Sequence, residues 1–385
     1  MGVGRSDDAD AGVAGATAAK AALAGPDPRL LIVFCSDSYD LPTLVTAVTE
    51  AAPGIPLIGC STAGELSVSG DALAGDAAVV VTAIGGEGFS VATKHALATE
   101  EGGLREAAFD AAGCMSDVEP LTHSVLLVLT DGLAGDQEEV VRGAYRAVGA
   151  TVPLVGGCAG DDLKMTATFQ FHGTEVLRNA VVAAAISSEG PLGIGVRHGW
   201  RRVGDPMLVT HSDGAILFTL DDQPALDAYL ERLGAPAEAY TDPAAFTQFA
   251  LTHPLGVSRR SGEEVRFVAE ADFEHRSLVC IANVPKGGLA WFMEGDEQSV
   301  LEATDAACGE ALDALDGETP LGMVAFDCIA RRGVMGDAGI QREVDRLADF
   351  AAGAPVAGFY TYGEFARTRG TTGFHNQTLV VLAVA

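Results

Sequence analysis

A short pattern occurs three times along the chain and constrains the fold more than any other feature. It reads PLIGCSTAGE from Pro56, PLVGGCAGDD from Pro153 and PVAGFYTYGE from Pro355. The three copies keep a proline, two apolar residues, two glycines and a terminal acid. A hydrolase elbow needs Gly-x-Ser-x-Gly, but Ser61 misses this spacing by one residue and is replaced by Tyr360 in another copy. The pattern therefore predicts a repeated scaffold.

The surroundings of the three copies indicate secondary structure. An apolar run precedes each copy, namely LLIVFCSD, SVLLVLTD and GMVAFDC, and apolar residues at helical spacing follow each run. In the first copy these are Leu41, Leu44, Val45 and Val48. Two buried strands joined by a helix are normally parallel with a right-handed crossover. The sequence therefore predicts an α/β fold with mixed sheets, built from three β-α-β repeat units.

Two domains and a tail are predicted from the distribution of these units. Residues 1–28 mix aspartate with small residues and lack a basic start followed by an apolar stretch, so we expect a mobile tail and no signal peptide. Residues 29–200 contain the first two copies. The glycine-rich GPLGIGVRHGWRRVGDP marks the boundary, and residues 201–385 contain the third copy.

Composition excludes several classes of partner. The formal net charge is -29 at pH 7, and lysine occurs at only four positions in 385 residues. Binding to nucleic acid depends on Lys and Arg, so nucleic acid is not an expected partner, and the same charge disfavours anionic membranes. No apolar run is long enough to span a bilayer, which predicts no membrane insertion. The seven scattered cysteines lack ligand spacing and favour the cytoplasm.

Several motifs together resemble one family. GCSTAGE, LVGGCAGDD, PLGIGVRHGW, CIARR and GFYTYGE followed by FHNQT are similar, in this order, to the N-terminal and C-terminal parts of FIST domains. The resemblance extends from about Leu30 to the last residue. It implies a sensory module for a small ligand in signal transduction, with amino acids as proposed ligands. The chain contains no kinase, cyclase or methyl-accepting segment, so the signalling partner is unknown.

Candidate ligand-binding residues follow from the predicted sheet edge. The carboxyl ends of parallel strands meet at one edge, where open α/β sheets bind ligands. Acids there would bind an ammonium group, an arginine would bind a carboxylate through two parallel hydrogen bonds, and the two tyrosines would face one side of an extended strand. The candidates are Thr62, Glu65, Asp161, Asp162, Arg331, Tyr360, Tyr362, Glu364 and Asn376.

Structural alternatives exist for these residues. Acids after glycine often accept backbone N–H groups of their own loop, and an arginine in so acidic a chain often forms a surface ion pair. His375 is interpreted as a hydrogen-bonded structural residue. The preferred hypothesis remains an amino acid or similar zwitterionic metabolite bound in a cleft between the two domains, with occupancy passed to the partner.

Two other functions stay open at this stage. A loop nucleophile, Ser61 or Cys60, would make the chain an enzyme, but acids near the cysteines oppose thiolate formation, so the balance is against an enzyme. Non-covalent haem in a nitric-oxide sensor needs only one axial ligand, and the chain has eight histidines. No cofactor is assigned apart from this haem alternative, and no residue is assigned to a metal.

Overall fold

The same order of elements occurs three times in this protein. In a computed structural model, residues 1–69, 71–75, 78–99, 103–259, 262–368 and 373–385 are described. Within them, three segments each contain a strand, a helix, a strand, a helix, a strand, two short antiparallel strands and a final strand. We call these segments unit 1, unit 2 and unit 3. The predicted α/β class with mixed sheets is confirmed.

Units 1 and 2 are continuous in sequence. Unit 1 comprises β1 (Gly2–Ser6), α1 (Ala11–Ala22), β2 (Pro28–Ser36), α2 (Leu41–Ala51), β3 (Leu57–Thr62), β4 (Glu65–Ser69), β5 (Asp71–Gly75) and β6 (Val79–Gly85). Unit 2 comprises β7 (Phe89–Leu97), α3 (Gly103–Ala112), β8 (His123–Thr130), α4 (Glu138–Val148), β9 (Leu154–Cys158), β10 (Gln170–His172), β11 (Glu175–Leu177) and β12 (Ala180–Ser188).

Unit 3 is interrupted after its first strand, β13 (Leu192–Arg197). The insertion comprises β14 (Arg201–Asp213), β15 (Ile216–Leu220), β16 (Gln223–Pro224), α5 (Ala225–Arg232), α6 (Pro243–Ala250), β17 (Leu255–Arg259), β18 (Gly262–Arg266), β19 (Val268–Asp272), β20 (Ser277–Cys280) and β21 (Leu289–Glu294). Unit 3 then continues with α7 (Glu297–Asp313), β22 (Gly322–Cys328), α8 (Ile329–Ala351), β23 (Val356–Thr361), β24 (Glu364–Arg367), β25 (Phe374–His375) and β26 (Leu379–Val384).

Each unit contributes four strands to a six-stranded sheet, and a second unit contributes the other two. The sheet orders are β1-β6-β2-β3-β10-β11, β7-β12-β8-β9-β24-β25 and β13-β26-β22-β23-β4-β5. The pairs β2/β3, β8/β9 and β22/β23 are parallel, and the other pairs in these sheets are antiparallel. The two short strands of every unit therefore complete the sheet of a different unit, so the three units are interlocked.

The three sheets share one central core. Alternate residues of the first parallel strands, such as Ile32, Leu127 and Phe326, meet in a single buried cluster. The residues between them face the helices: Val33 packs with α1 and α2, and Val128 packs with α3 and α4. Because both faces of these strands are covered, their sequences are continuous apolar runs rather than alternating ones. The helix predicted after Asp40 is α2, whose buried residues are the four predicted ones.

The N-terminal segment is folded, in contrast to the predicted mobile tail over residues 1–28. Strand β1 pairs antiparallel with β6. Helix α1 buries a run of alanines at helical spacing, and Asp10 caps it by accepting the backbone N–H of Val13 at 2.9 Å. Small buried side chains allow this helix to pack closely, which is why a segment poor in large apolar residues still folds.

Two edge strands, β1 and β13, each carry a pair of glycines that allows a helix to pack closely on the strand. A Cβ atom added at Gly2 or Gly4 of β1 would lie about 2 Å from a backbone oxygen of α1, at 2.1 Å and 2.0 Å. Gly193 and Gly195 of β13 have the same relation to α7, at 1.9 Å. GVG and GIG are therefore equivalent packing sites for a helix.

The insertion has its own sheet and its own core. Its strands follow the order β18-β17-β21-β14-β15-β20-β19, with β16 paired to β15. Residues such as Val209, Tyr229 and Phe292 form a cluster separate from the central core of the three units. Among the described helices of the whole chain, none is long and apolar enough to cross a lipid bilayer.

Candidate functional site

The loop after β3 holds a buried carboxylate in a closed set of hydrogen bonds. The hydroxyl of Thr62 donates to Glu65 Oε1 at 2.5 Å, and the N–H of Gly64 donates to Thr62 Oγ1 at 3.3 Å. The second carboxylate oxygen, Oε2, accepts the N–H of Ala78 at 3.2 Å, just before β6. Glu65 is 1% exposed. It thus ties its loop to the start of the last strand of unit 1.

The loop after β23 repeats this arrangement. Thr361 donates its hydroxyl to Glu364 Oε1, and Gly363 N–H donates to Thr361 Oγ1 at 3.2 Å. Glu364 Oε2 accepts the N–H and the hydroxyl of Thr378, at 3.3 Å and 2.7 Å, just before β26. Burial raises the pKa of Glu364 to about 7, although hydrogen bonds from Thr361 and Thr378 oppose the shift. The shared sequence pattern Thr-x-Gly-Glu therefore corresponds to one structural device.

Unit 2 has a different arrangement. Tyr362 of unit 3 donates its hydroxyl to Asp161 Oδ1 and accepts the N–H of Leu163 at 2.7 Å. The Asp161 carboxylate also accepts the backbone N–H groups of Met165, Thr166 and Ala167. Burial opposes ionisation of Asp161, but these hydrogen bonds outweigh it and lower the pKa. The N–H before β12, on Asn179, is instead bonded at 2.9 Å by Asp131 Oδ2.

The three loops contact one another directly and form what we call the loop junction, residues 61–65, 158–162 and 360–364. Ser61 donates its hydroxyl to the carbonyl of Gly160 at 2.8 Å. The N–H of Ala63 donates to the carbonyl of Tyr360 at 3.0 Å, and Arg332 donates to the carbonyl of Ala63 at 2.7 Å. The structure therefore brings the predicted loops together, but their carboxylates accept hydroxyl and backbone N–H groups of the fold instead of lining one wall.

Arg331 lies in a buried charge cluster, at neither the predicted ligand site nor the surface. Its Nε donates to Asp327 Oδ1 at 2.6 Å, and its Nη2 donates to Thr304 Oγ1 at 2.9 Å and to Glu343 Oε1 at 2.5 Å. Burial, together with the Glu343 charge, raises the pKa of Asp327 well above its usual range. Burial also opposes ionisation of Glu343, but Arg331 outweighs it and lowers that pKa. The two carboxylates therefore share a single buried guanidinium.

The remaining candidates are scattered. Tyr360 is buried and directs its hydroxyl to Glu343 Oε2 at 3.5 Å, whereas Tyr362 contacts Asp161, so the two phenols do not share a side. Strand β23 ends at Thr361, and the alternation of side chains ends with it. Asp162 is exposed, 3.8 Å from Arg332. Asn376 is buried, and its Oδ1 has no hydrogen-bond partner among the described residues.

The residues considered as nucleophiles are buried, Ser61 in the junction and Cys60 directly before it in the central core. Ser61 Oγ accepts the N–H of Phe169 at 2.9 Å in addition to its bond to Gly160. Burial raises the pKa of Cys60 and of Cys158 above the ordinary value of a thiol. A thiol in this state is not a thiolate near neutral pH, and the geometry of neither loop presents an attacking group to solvent.

A cavity of about 310 Å³ lies between the insertion and the three units. One wall comes from β18 of the insertion and the other from β13, β24, β25 and the start of β26. The lining residues are Val196, Arg197, His198, Glu263, Glu264, Val265, Ala366, Thr368, His375 and Thr378. Sequence reasoning assigned none of these to the site, although RHG and FHNQT belong to the motifs that carry the family resemblance.

Groups of both charges lie in the cavity wall. Glu263 Oε2 accepts Nε of Arg202 at 2.6 Å, and Glu263 Oε1 lies 3.5 Å from His198 Nε2. Hydrogen bonds from His198 and Arg202 lower the pKa of Glu263, while burial opposes the shift. Glu264 accepts a hydrogen bond at 2.8 Å from the buried Arg266. The wall therefore carries groups of both charges within one small volume, and Arg197 is paired with Glu310 at its edge.

The cavity also touches the loop junction. Thr378, which lines the cavity, donates its hydroxyl to Glu364. His375 packs beside it, and its Nε2 lies 3.0 Å from the carbonyl oxygen of Ala366. Burial lowers the pKa of His375. A ligand in the cavity would therefore contact residues that are bonded directly to the junction.

Haem does not fit this wall. One ring nitrogen of His375 is directed at a backbone carbonyl, and Nδ1 of His198 accepts the N–H of Trp200 at 2.9 Å. The same wall carries Glu263 and Glu264, and carboxylates disfavour a large apolar macrocycle. The described residues around the cavity therefore match a small polar ligand better than a porphyrin.

Comparison with known proteins identifies the family. The FIST N domain model matches residues 29–223, and the FIST C domain model matches residues 225–367. The chain therefore belongs to the FIST family, whose domains are regarded as sensory modules for small ligands in signal transduction. The boundary between the two models falls inside the insertion, next to β16.

Similar proteins carry no functional assignment. The uncharacterized proteins MT0656 and Rv0628c of Mycobacterium tuberculosis are each 26% identical over 396 aligned positions, covering 98% of this chain and 97% of theirs. The uncharacterized protein MJ1623 of Methanocaldococcus jannaschii is 27% identical over 180 residues. That match covers 44% of this chain and only 34% of the archaeal protein.

Proposed function

We propose that this protein is a small-ligand sensor that binds an amino acid or similar zwitterionic metabolite in the cavity between the insertion and the three units. The observation that carries the proposal is the wall itself, where Glu263 and Glu264 lie beside Arg197 and His198. A carboxylate binds an ammonium group, and a guanidinium or imidazolium binds a carboxylate. A volume of about 310 Å³ is near the lower limit for ligand pockets, which favours a small metabolite.

The proposed signal is a change in how the insertion sits on the three units. The two walls belong to bodies with separate cores, the insertion over residues 201–294 and the three units, so the predicted boundary near residue 200 is the point where the insertion begins. A ligand that contacts both walls stabilises the arrangement that brings them together. An unidentified signalling protein would recognise that arrangement. Seven free, buried cysteines support a cytoplasmic location for this exchange.

Calorimetry against standard amino acids tests the proposal. Each amino acid that binds is compared with its amine and its carboxylic acid analogue, and the zwitterion should bind more tightly than both. Glu263→Gln should weaken binding about 10- to 100-fold, which is the effect of losing a hydrogen bond to a charged group. Arg197→Gln should weaken binding of the zwitterion but not of the amine.

Glu139→Gln is the matched control, because Glu139 on α4 also pairs with two cationic side chains, Arg105 and Arg142, but does not line the cavity. Its affinity for the ligand should equal that of the parent protein. The proposal fails if no zwitterion binds, or if Glu263→Gln and Glu139→Gln bind the ligand equally well while both remain folded.

A further inference from the structure

Three side chains of the kinds that bind transition metals meet at a seam between two sheets. His95 lies on β7, the edge strand of the unit 2 sheet, and His172 and Glu175 lie on β10 and β11 at the edge of the unit 1 sheet. Candidate ligand atoms of the three side chains all lie within 4.8 Å of one another. The cluster shares no residue with the cavity of the proposed function.

The local fold explains why these side chains meet. A two-residue turn at residues 173–174 joins β10 to β11, with Gly173 at a φ of 59°. His172 and Glu175 are therefore directly opposite each other in the ladder, and opposite residues project to the same face. On β7, Thr93 and His95 also share a face, since they are two residues apart.

The distances suit a shared ion. His95 Nδ1 and His172 Nδ1 are 3.1 Å apart. Two nitrogens bound to one tetrahedral zinc ion at 2.0–2.1 Å lie about 3.4 Å apart, so a shift of a few tenths of an ångström would suffice. Glu175 Oε2 lies 3.8 Å from His95 Nε2, and its side chain is 60% exposed. An exposed carboxylate can turn towards the ion at little cost.

A partner for the second ring nitrogen of His172 is also present. His172 Nε2 lies 3.1 Å from Thr93 Oγ1, and the hydroxyl can accept the ring N–H. In the tautomer with the proton on Nε2, this bond forms and the lone pair of Nδ1 is directed at His95. Histidines that bind metals in proteins usually have such a partner, which fixes both the tautomer and the ring orientation.

We propose that His95, His172 and Glu175 bind one divalent transition-metal ion of the zinc type. Imidazole nitrogens favour zinc, copper, nickel or iron over magnesium and calcium, which prefer oxygen. Three protein ligands leave a fourth tetrahedral position for water or another molecule. The ion would pin the β10–β11 hairpin of unit 2 to β7. Sequence spacing gave no sign of this site, because His95 is remote in sequence from the other two.

Titration of tag-free, chelator-treated protein tests the site. ZnCl₂ in a calorimeter should show one saturable ion per chain, and CoCl₂ should give visible absorption bands of tetrahedral cobalt that ZnCl₂ removes. His172→Ala should abolish both signals. Glu175→Gln, an exposed position where folding is not in question, should weaken zinc binding at least about 10-fold, and Thr93→Val should weaken it about 10- to 100-fold while Thr93→Ser restores it.

His275→Ala is the matched control, because His275 pairs with a carboxylate, Asp272, at 2.8 Å on the insertion. Its zinc affinity should equal that of the parent. A simple imidazole–imidazole hydrogen bond would hold the seam without an ion, and it predicts no saturable zinc binding. That result, or binding that His275→Ala removes and Glu175→Gln leaves unchanged, would overturn the proposal.

Discussion

The loop junction and the cavity lie side by side, yet their side chains are used differently. In the junction, Glu65, Asp161 and Glu364 are bonded by hydroxyls and backbone N–H groups of the fold itself. In the cavity, Glu263 is paired with Arg202 and Glu264 with the buried Arg266, and both acids line the open volume. The difference teaches that the repeated Thr-x-Gly-Glu residues maintain the fold, whereas the acids that line the cavity belong to the insertion, which units 1 and 2 lack.

The strongest test of this contrast is Arg331→Met. Removing the guanidinium leaves Asp327 and Glu343 buried without their cation, and breaking a buried ion pair typically costs about 3–5 kcal/mol. Urea unfolding should show this loss in the free energy of unfolding. Arg342→Met is the control, since Arg342 pairs with Glu297 at the surface and should cost under about 1 kcal/mol. Equal effects would contradict the interpretation of Arg331 as a structural residue.

The next largest effect is expected in the pH dependence of stability, through Glu364. Its pKa in the folded state is about 7, above the value of about 4.3 for an unfolded glutamate. The folded state therefore binds more protons between these values, so stability is highest at the acid side and falls as pH rises towards 7, by about 3 kcal/mol. Unfolding of Glu364→Gln, measured across this range, should show a flatter profile. An unchanged slope would show that Glu364 is ionised in the fold.

A smaller loss is expected for Tyr362→Phe. Its hydroxyl donates to Asp161 and accepts the N–H of Leu163, so about 1–3 kcal/mol should be lost when these groups stay buried. Tyr360→Phe provides the comparison, because that hydroxyl has only a 3.5 Å contact to Glu343. Chemical unfolding should rank Tyr362→Phe as the more damaging change. The reverse order would mean that the junction is held mainly by its backbone.

The smallest effect is expected for Lys164→Ala. Lys164 pairs with Asp37 at 2.7 Å and links unit 2 to unit 1, but the lysine side chain is 48% exposed. Exposed pairs contribute about 0–1 kcal/mol and weaken in salt. The difference in melting temperature from the parent should therefore be small and should disappear at high ionic strength. A large difference that persists in salt would place this pair among the buried groups of the junction.

The sequence was informative where the signal was local. Continuous apolar runs identified the parallel strands, and helical spacing of Leu41, Leu44, Val45 and Val48 identified α2. The Thr-x-Gly-Glu repeat was visible too, but whether its glutamate faces a ligand or its own loop depends on Thr62 and Thr361, three residues earlier. Both threonines belong to the repeated pattern, and their hydroxyls bond each glutamate to its own loop.

Other features depended on long-range contacts. Strand β1 and helix α1 were missed because alanine and glycine give a weak apolar signal, although GVG at the start and GIG in β13 are related packing sites. The cavity joins β18 to β25 and β13 without any fixed spacing in the sequence. Arg331 was predicted to bind a ligand carboxylate because nothing in CIARRG shows that α7 and α8 cover it with Thr304 and Glu343.

The exchange of short strands between units has a consequence for synthesis of the protein. Leu66 of β4 pairs with Gly358 of β23, and Val155 of β9 pairs with Ala366 of β24, so each early strand has a partner that is made much later. Until those residues leave the ribosome, the emerging chain holds unpaired edges that invite association with other chains. Contacts this distant in sequence slow folding, and we expect newly made chains to depend on chaperones.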